Sequence, residues 1–211
     1  EICSVRSSSR DDAAARLDIQ SAASLFLPLN RIGSHVGTSP NPSTGRRLSM
    51  AFRARIAMFA HMGIEADPAH VSAVDKETLR AHIQLYKELR VLIHGCDFHC
   101  FSGDDADVRI WQCVATDKGE ALVLAARVSQ GRGLISAPVR LRGLQRDLSY
   151  RVKLIRPWPE PARFHLGETS TWRSDPVFDG ALLEEVGLRL PLIHPETAWL
   201  AHLKAEQGRA S

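Results

Sequence analysis

Cysteine is scarce in this sequence, and two other features are missing. Four cysteines occur in 211 residues, too few for a disulfide scaffold in a chain of this length, so we expect a reducing compartment. No window of about eighteen consecutive apolar residues occurs, which excludes a membrane-spanning helix. The sequence begins with neither Met nor a signal segment. We therefore expect a cytoplasmic protein without a membrane partner, and a piece of a longer chain.

Dense positive charge is also missing. The formal net charge is +3, but Lys and Arg are scattered among Asp and Glu and form no basic patch with interleaved aromatic residues. Such patches are the mark of a nucleic-acid-binding surface. We therefore predict no nucleic-acid partner.

One short segment does contain residue types that bind zinc. His94, Cys96, His99 and Cys100 fall within the seven residues HGCDFHC. Structural zinc sites usually take ligand pairs from two separated segments, so that four ligands converge tetrahedrally, and no second pair follows here. We expect a helix end followed by a strand with partly buried Cys and His, without a metal or cofactor. A zinc-stabilised domain is the alternative, and it predicts bound metal.

The apolar spacing changes from helical to alternating near Gly95. Before that point the pattern predicts helix 11–24, strand 24–28, helix 49–63 with Ser49 as N-cap, and helix 75–95 with Asp75 as cap. After it the pattern predicts strands 107–116, 120–128, 137–144, 148–155, 188–190 and 197–203. The second half is therefore an antiparallel β-structure.

A long polar loop, RIGSHVGTSPNPSTGRR at 31–47, separates the strand at 24–28 from the following helix. Ordinary connections take about 4–6 residues, and longer ones are usually functional or disordered. A strand, a loop and a helix that packs back make one βα unit, and in barrels the loop after the strand carries the chemistry. We therefore expect 31–47 to lie on an active-site rim.

These segments resemble the α-galactosidases of glycoside hydrolase family 36. The family pattern is an apolar strand ending in Pro, then Gly-Ser/Ala-His-Val, Pro-Asn, Thr-Gly-Arg and a helix. The matching residues are Pro28, Gly33, Ser34, His35, Val36, Pro40, Asn41, Thr44, Gly45, Arg46, Arg53, Ala57, Phe59, Gly63 and Asp67. The resemblance continues through IQLYKELRVLIHG, LRGLQRDLSYRVKLI and DGALLEEVGLRLPL, and covers residues 12–204.

The resemblance implies an α/β plus all-β fold. The last βα unit or units of a (β/α)8 barrel would occupy 1–94, as the end of the catalytic barrel. A C-terminal antiparallel β-sandwich would occupy 95–211. It also implies an α-galactoside substrate and a homo-oligomeric full-length enzyme. Because a single βα unit leaves its strand without neighbours, we expect 1–60 to be poorly packed or to dimerise through Leu25–Leu27.

The implied chemistry is hydrolysis of terminal α-linked galactose with retention, which needs a nucleophilic and an acid/base carboxylate. The family's nucleophile stands in a Lys-x-Asp segment that this sequence lacks, so we expect no activity from this chain alone. The segment SSSRDDAAARLDIQ resembles the family segment that carries the acid/base. When the two are aligned without a gap, the acid/base position falls on Ser9. When the alignment is shifted, Asp11 takes this role. Asp12 is a weaker candidate, because it also suits the start of a helix.

Three further sets of residues have alternative roles. Cys3, in EICS, resembles a family cysteine beside the sugar. His35 either contacts substrate or holds the loop, and the neighbouring glycines favour the second role. Arg46 and Arg53 are expected to pair with carboxylates. The four tryptophans fit a β-core better than a sugar-stacking surface; exposed aromatics would instead indicate a non-catalytic carbohydrate-binding module, and an uncovered apolar face an assembly module.

Overall fold

The computed structural model describes residues 12–131, 136–155, 172, 174–192 and 194–206. The chain forms two compact units, which divide between Gly95 and Cys96. Within the described residues, no helix is both long enough and apolar enough to cross a membrane.

The first unit alternates helices with short strands. Its elements are α1 (Ala13–Ala23), a 3-10 helix (Leu29–Arg31), β1 (Gly33–Val36), α2 (Met50–Ala57), β2 (His61–Ile64), a second 3-10 helix (Pro68–His70) and α3 (Ala73–Gly95). β1 and β2 pair in parallel, from Gly33 opposite His61 to Val36 opposite Ile64. The segment β1–α2–β2 is therefore a βαβ unit.

One predicted element in this unit is wrong, and another is predicted too long. Residues 24–28 form a turn after α1 instead of a strand, and Leu25 and Phe26 in that turn are 74% and 85% exposed. The helix that starts after Ser49 ends at Ala57, and Gly63 lies inside β2. The strand of this βα unit is instead β1, inside the predicted loop, and it pairs with β2, so the expected single unpaired strand is not found among the described residues.

Packing around α2 is tight. All eight of its residues are buried, and its Met50, Ala54 and Ala57 form a core with Val36 of β1. The small alanine side chains leave room for the helix to lie close to the strand. Among residues 12–60, the expectation of poor packing is thus wrong, and the alternative, dimerisation through Leu25–Leu27, stays a prediction.

The helix caps agree with the sequence in two cases out of three. The Ser49 hydroxyl accepts from the backbone N–H of Phe52, as predicted, and Asp12 caps α1. The cap of α3 is Ser72, whose hydroxyl accepts from the Asp75 N–H at 3.1 Å. Asp75 instead lies in the first turn, where its charge favours the positive end of the helix.

The second unit is built on one six-stranded sheet. Its elements are β3 (Asp97–Ser102), β4 (Val108–Val114), β5 (Glu120–Arg127), β6 (Ser149–Leu154), β7 (Val177–Asp179), α4 (Gly180–Glu185) and β8 (Thr197–Ala205). The strand order is β3-β4-β5-β8-β6-β7, and every pair is antiparallel. The predicted antiparallel structure is confirmed.

The predicted strands 137–144 and 188–190 are reduced to one isolated bridge, between Val139 and Leu188. Residues 137–144 nevertheless pack on the sheet. Gln112 of β4 donates from Nε2 to the Arg142 carbonyl, and its Oε1 accepts from the Arg142 N–H. The Arg142 guanidinium lies 4.1 Å from the centroid of the Phe101 ring. A second sheet, as in a sandwich, stays a prediction.

Candidate functional site

The carboxyl ends of the parallel strands define the edge where a site is expected. β1 ends at Val36 and β2 at Ile64. In βα proteins the loops that follow the strands, together with the helix N-termini, form the ligand-binding edge. The loop after β1 and the N-terminus of α1 meet at this edge through Asp12.

Both carboxylate oxygens of Asp12 accept hydrogen bonds. Its side chain is 1% exposed. Oδ1 accepts hydrogen bonds from the backbone N–H groups of Ala14 at 2.9 Å and Ala15 at 3.4 Å. Oδ2 accepts from the Thr44 hydroxyl at 2.9 Å, and Arg46 Nη1 lies 3.4 Å from Oδ1. The geometry supports the helix-start role of Asp12, and the predicted pairing of Arg46 with a carboxylate is confirmed.

Asn41 shapes the loop that reaches Asp12. Its Oδ1 accepts from the backbone N–H groups of Ser43 and Thr44, both at 2.9 Å. Gly45, at φ +69°, completes the turn, a backbone conformation that favours glycine. Asn41 is 3% exposed, and its Nδ2 has no hydrogen-bond partner in the described structure. The Asn-Pro-Ser-Thr-Gly sequence is typical of such a turn, but it does not reveal that Thr44 would contact Asp12.

His35 lies on the face of β1 opposite the α2 core. Its Nδ1 is 3.4 Å from Glu65 Oε1, and the two side chains are 28% and 37% exposed. The ring covers Gly63 on β2, because a Cβ there would lie 2.1 Å from His35 Cδ2. His35 therefore packs across the strand pair, and its substrate contact stays a prediction. Glu65 was missed because β2 had not been recognised.

The other predicted arginine is bound differently. Arg53 donates from Nε to the Leu48 carbonyl and from Nη1 to the Gly37 carbonyl. These bonds join the two ends of the loop after β1. Among the described residues, Arg53 therefore binds backbone carbonyls in place of the predicted carboxylate. Burial lowers the pKa of Arg53, while the charge of Asp75 raises it.

Two buried basic side chains between α2 and α3 were missed. Arg55 is fully buried, and burial lowers its pKa to about 9. His82 is also fully buried; its Nδ1 bonds the Thr78 carbonyl at 2.7 Å. Burial, partly offset by that bond and assisted by the charge of Arg55, lowers the pKa of His82 to about 4. Nothing in the helical pattern separates a buried His from an exposed one.

Asp11 and Cys3 lie outside the described residues, so their roles stay predictions. The predicted strand after the helix end is confirmed: β3 contains half-buried His99 and Cys100. In the described ranges, no three His, Cys, Asp or Glu side chains are grouped as they would be around a metal ion.

The tryptophans that the structure describes are core residues. Trp111, Trp172 and Trp199 are 1%, 8% and 4% exposed, and Trp158 lies outside the described residues. Within the described part of the second unit, no tryptophan is placed to stack on a sugar. The non-catalytic carbohydrate-binding alternative therefore gains no support from them.

Known proteins match both units. The Melibiase family model matches residues 2–95, and the model of the glycosyl hydrolase family 36 C-terminal domain matches residues 108–203. The α-galactosidase of Escherichia coli is 30% identical over 205 residues, which are 93% of this chain and 28% of that protein. AgaA of Geobacillus stearothermophilus is 29% identical over 168 residues, 79% of this chain and 23% of that protein.

Solved structures give the same result. The galactosidase domain of the α-galactosidase-sucrose kinase AgaSK superposes with a TM-score of 0.79 at 28% identity, over 93% of this chain and 25% of that one. A variant of the Geobacillus enzyme AgaA in complex with raffinose gives 0.77 at 27% identity, with the same coverage. The chain spans about a quarter of the length of these relatives. It belongs to glycosyl hydrolase family 36 and corresponds to the C-terminal portion of the family's α-galactosidases.

Proposed function

We propose that this chain supplies one side of the active site of a retaining α-galactosidase that removes terminal α-linked galactose. The observation that carries the proposal is the network at the carboxyl edge, in which Thr44 and Arg46 hold Asp12 at the start of α1. The residue before this anchored cap is Asp11. Relatives support the substrate class, since variants of the Geobacillus enzyme AgaA were solved with raffinose and with stachyose.

Asp11 is the proposed acid/base in this reaction. A retaining glycosidase uses one carboxyl group to protonate the leaving oxygen and later to activate water, while a second one attacks the sugar. Asp12 is poorly suited to either task, because both of its oxygens already accept hydrogen bonds. His35 and Cys3 are proposed sugar contacts. Residues 1–94 are proposed as the barrel end, and 95–211 as the accompanying β-domain.

The nucleophile is proposed to lie outside this chain, so the isolated chain should not hydrolyse p-nitrophenyl α-galactoside. Turnover by the isolated chain would show that a complete carboxylate pair is present and would overturn this assignment.

The positive test is a chimera in which this chain replaces the aligned part of the Escherichia coli relative. We expect hydrolysis of p-nitrophenyl α-galactoside, and a loss of about 100-fold or more in Asp11→Asn, the usual contribution of acid/base catalysis. Asp18→Asn, on an exposed position of α1, is the matched control. A chimera that unfolds cooperatively but does not turn over, or one that is unaffected by Asp11→Asn, would contradict the proposal.

A further inference from the structure

His35 and Glu65 form a polar pair at the carboxyl edge of the first unit. His35 lies on β1, and Glu65 directly follows β2, the strand that pairs with β1 in parallel. His35 Nδ1 is 3.4 Å from Glu65 Oε1, and both side chains are partly exposed. Polar side chains that meet where neighbouring parallel strands end are placed to contact a ligand.

Gly63 fixes the position of the His35 ring. The two residues are register partners, and a Cβ on Gly63 would lie 2.1 Å from His35 Cδ2 and 2.8 Å from Nε2. The ring therefore lies across bare backbone. The reverse orientation of the ring would place the Cδ2 carbon, instead of Nδ1, beside the Glu65 carboxylate, so electrostatics favours the orientation observed.

The two ring nitrogens of His35 have different surroundings. Nδ1 faces the negative carboxylate of Glu65, which favours a proton on that nitrogen. Among the described residues, Nε2 has no hydrogen-bond partner, and it is not one of the buried side-chain atoms that lack one, so solvent reaches it. A neutral imidazole carries one proton, and a proton on Nδ1 therefore leaves Nε2 as an acceptor.

From this geometry we propose that Glu65 is a positioning residue: its carboxylate keeps the proton of neutral His35 on Nδ1, so that Nε2 accepts a hydrogen bond from a galactose hydroxyl. The inference rests on the proposed function, and it adds Glu65, the tautomer of His35 and the direction of the hydrogen bond. The distance of 3.4 Å is longer than an ideal N–H···O bond, and contacts of this kind often tighten only in the complex with substrate.

The first test measures the tautomer in the full chain and does not need activity. Proton–nitrogen correlation spectra at about pH 8, where histidine is neutral, should show the His35 proton on Nδ1. In Glu65→Gln the proton should shift toward Nε2, because the negative charge is gone. Glu77→Gln, at a 73% exposed side chain of α3, is the matched control and should change nothing. A proton on Nε2 in the unaltered chain, or a tautomer that Glu65→Gln does not move, would overturn the proposal.

The second test measures the direction of the sugar bond. Calorimetry on the chimera with the Escherichia coli relative gives the Kd of galactose and of deoxygalactoses that each lack one hydroxyl. Loss of one hydroxyl should weaken binding about 3–10-fold, the usual worth of a hydrogen bond. Fluorine at the same position should weaken binding as much, because it cannot donate. The penalty should shrink in Glu65→Gln and vanish in His35→Ala.

Measuring binding instead of turnover separates this inference from the proposed function. A chimera that binds galactose with this pattern but does not hydrolyse p-nitrophenyl α-galactoside would contradict the acid/base assignment of Asp11 and support the role of Glu65. A chimera that hydrolyses the substrate, but in which His35→Ala keeps every penalty, would overturn the role of Glu65 alone. A chimera that binds no galactose would overturn both.

Discussion

Asp12 joins two segments that lie far apart in the sequence. It caps α1 and binds Thr44, 32 residues later. Loss of a cap costs about 1 kcal/mol, and a second buried hydrogen bond adds about as much. We therefore expect Asp12→Ala to lower the free energy of unfolding of the first unit by about 2 kcal/mol, measured by denaturant titration.

The partner variant isolates the link between the segments. Thr44→Val removes the bond to Oδ2 but leaves the cap bonds to Ala14 and Ala15. The two single variants and the double variant form a cycle whose coupling energy we expect to be about 1 kcal/mol. A coupling energy of zero would mean that Thr44 and Asp12 do not interact in solution.

Gly63 is required by the ring that covers it. A Cβ there would lie 2.1 Å from His35 Cδ2, whereas a Cβ at Gly95 would meet nothing within 4 Å. Gly63→Ala should destabilise the first unit by about 1–3 kcal/mol through overpacking, and Gly95→Ala should not. Thermal unfolding measures both. Since the clash is with the ring, His35→Ala should rescue Gly63→Ala; failure to rescue would place the strain elsewhere.

His82 should make the packing of α3 on α2 sensitive to acid. The unfolded histidine titrates near 6.5 and the folded one near 4. Between these values the unfolded chain binds more protons, so stability is fully present above pH 6.5 and falls as the pH drops toward 4. The difference corresponds to about 3 kcal/mol.

Denaturant titrations of the first unit from pH 7.5 to 4 would measure this loss. His82→Leu should flatten the pH dependence, while His70→Gln, at an 85% exposed side chain, should leave it unchanged. An unchanged slope in His82→Leu would show that another group controls acid unfolding.

Arg127 of β5 holds three segments of the second unit. Its Nη2 donates to Asp105 Oδ2 at 2.7 Å and to the Ser136 hydroxyl, and its Nε donates to the Leu192 carbonyl at 2.7 Å. The guanidinium is fully buried, so its removal leaves an unpaired carboxylate and unpaired polar groups. Arg127→Met should cost about 3–5 kcal/mol in denaturant unfolding.

The neighbouring ion pair is the natural control. Arg140 and Asp104 lie 3.2 Å apart, with side chains 60% and 54% exposed. Exposed pairs contribute about 0–1 kcal/mol, so Arg140→Met should have little effect. Equal losses in the two variants would contradict the importance assigned to burial.

The accuracy of the sequence predictions follows the length and chemistry of each element. β4, β5, β6 and β8 are six to nine residues long and rich in apolar side chains, and all four were predicted. β1 and β2 have four residues each and contain Gly33 and Gly63. Neither is long enough to show the alternation of apolar and polar side chains that predicts a strand. The run at Leu25–Leu27 looked like a strand because it is apolar, yet Leu25 and Phe26 face solvent.

The site was predictable only where its contacts are local. The Asp12 cap follows from its neighbours in the sequence, whereas the contacts of Asp12 with Thr44 and Arg46 depend on the fold. The prediction that these contacts lie on an active-site rim rested only on the length of the loop at 31–47. The family resemblance supplied Asp11 and Cys3, which periodicity would not have identified.

The sheet of the second unit is joined through its last strand. β8 pairs with β5 along eight residue pairs and with β6 along five. Among the described strands, the other neighbour of β6 is β7. Ending the chain after Glu196 should therefore separate β6–β7 from β3–β4–β5. We expect loss of hydrogen-exchange protection throughout β6 and of cooperative unfolding of this unit.

A chain that ends after Glu206 is the control, since it keeps all of β8. Protection that survived in β6 without β8 would show that the β6–β7 hairpin is stable alone, against the usual marginal stability of two-stranded hairpins.

The central position of β8 also matters during synthesis. Arg127 and its register partner Thr197 are 70 positions apart, and a ribosome adding about 5–20 residues per second needs about 4–14 s to cover that distance. During this interval the nascent chain presents β5 with one open edge, and the six central residues of that strand, Ala121–Ala126, are all apolar. Unpaired edges of this kind invite pairing with other chains, so a holding chaperone would help most between the emergence of β5 and that of β8.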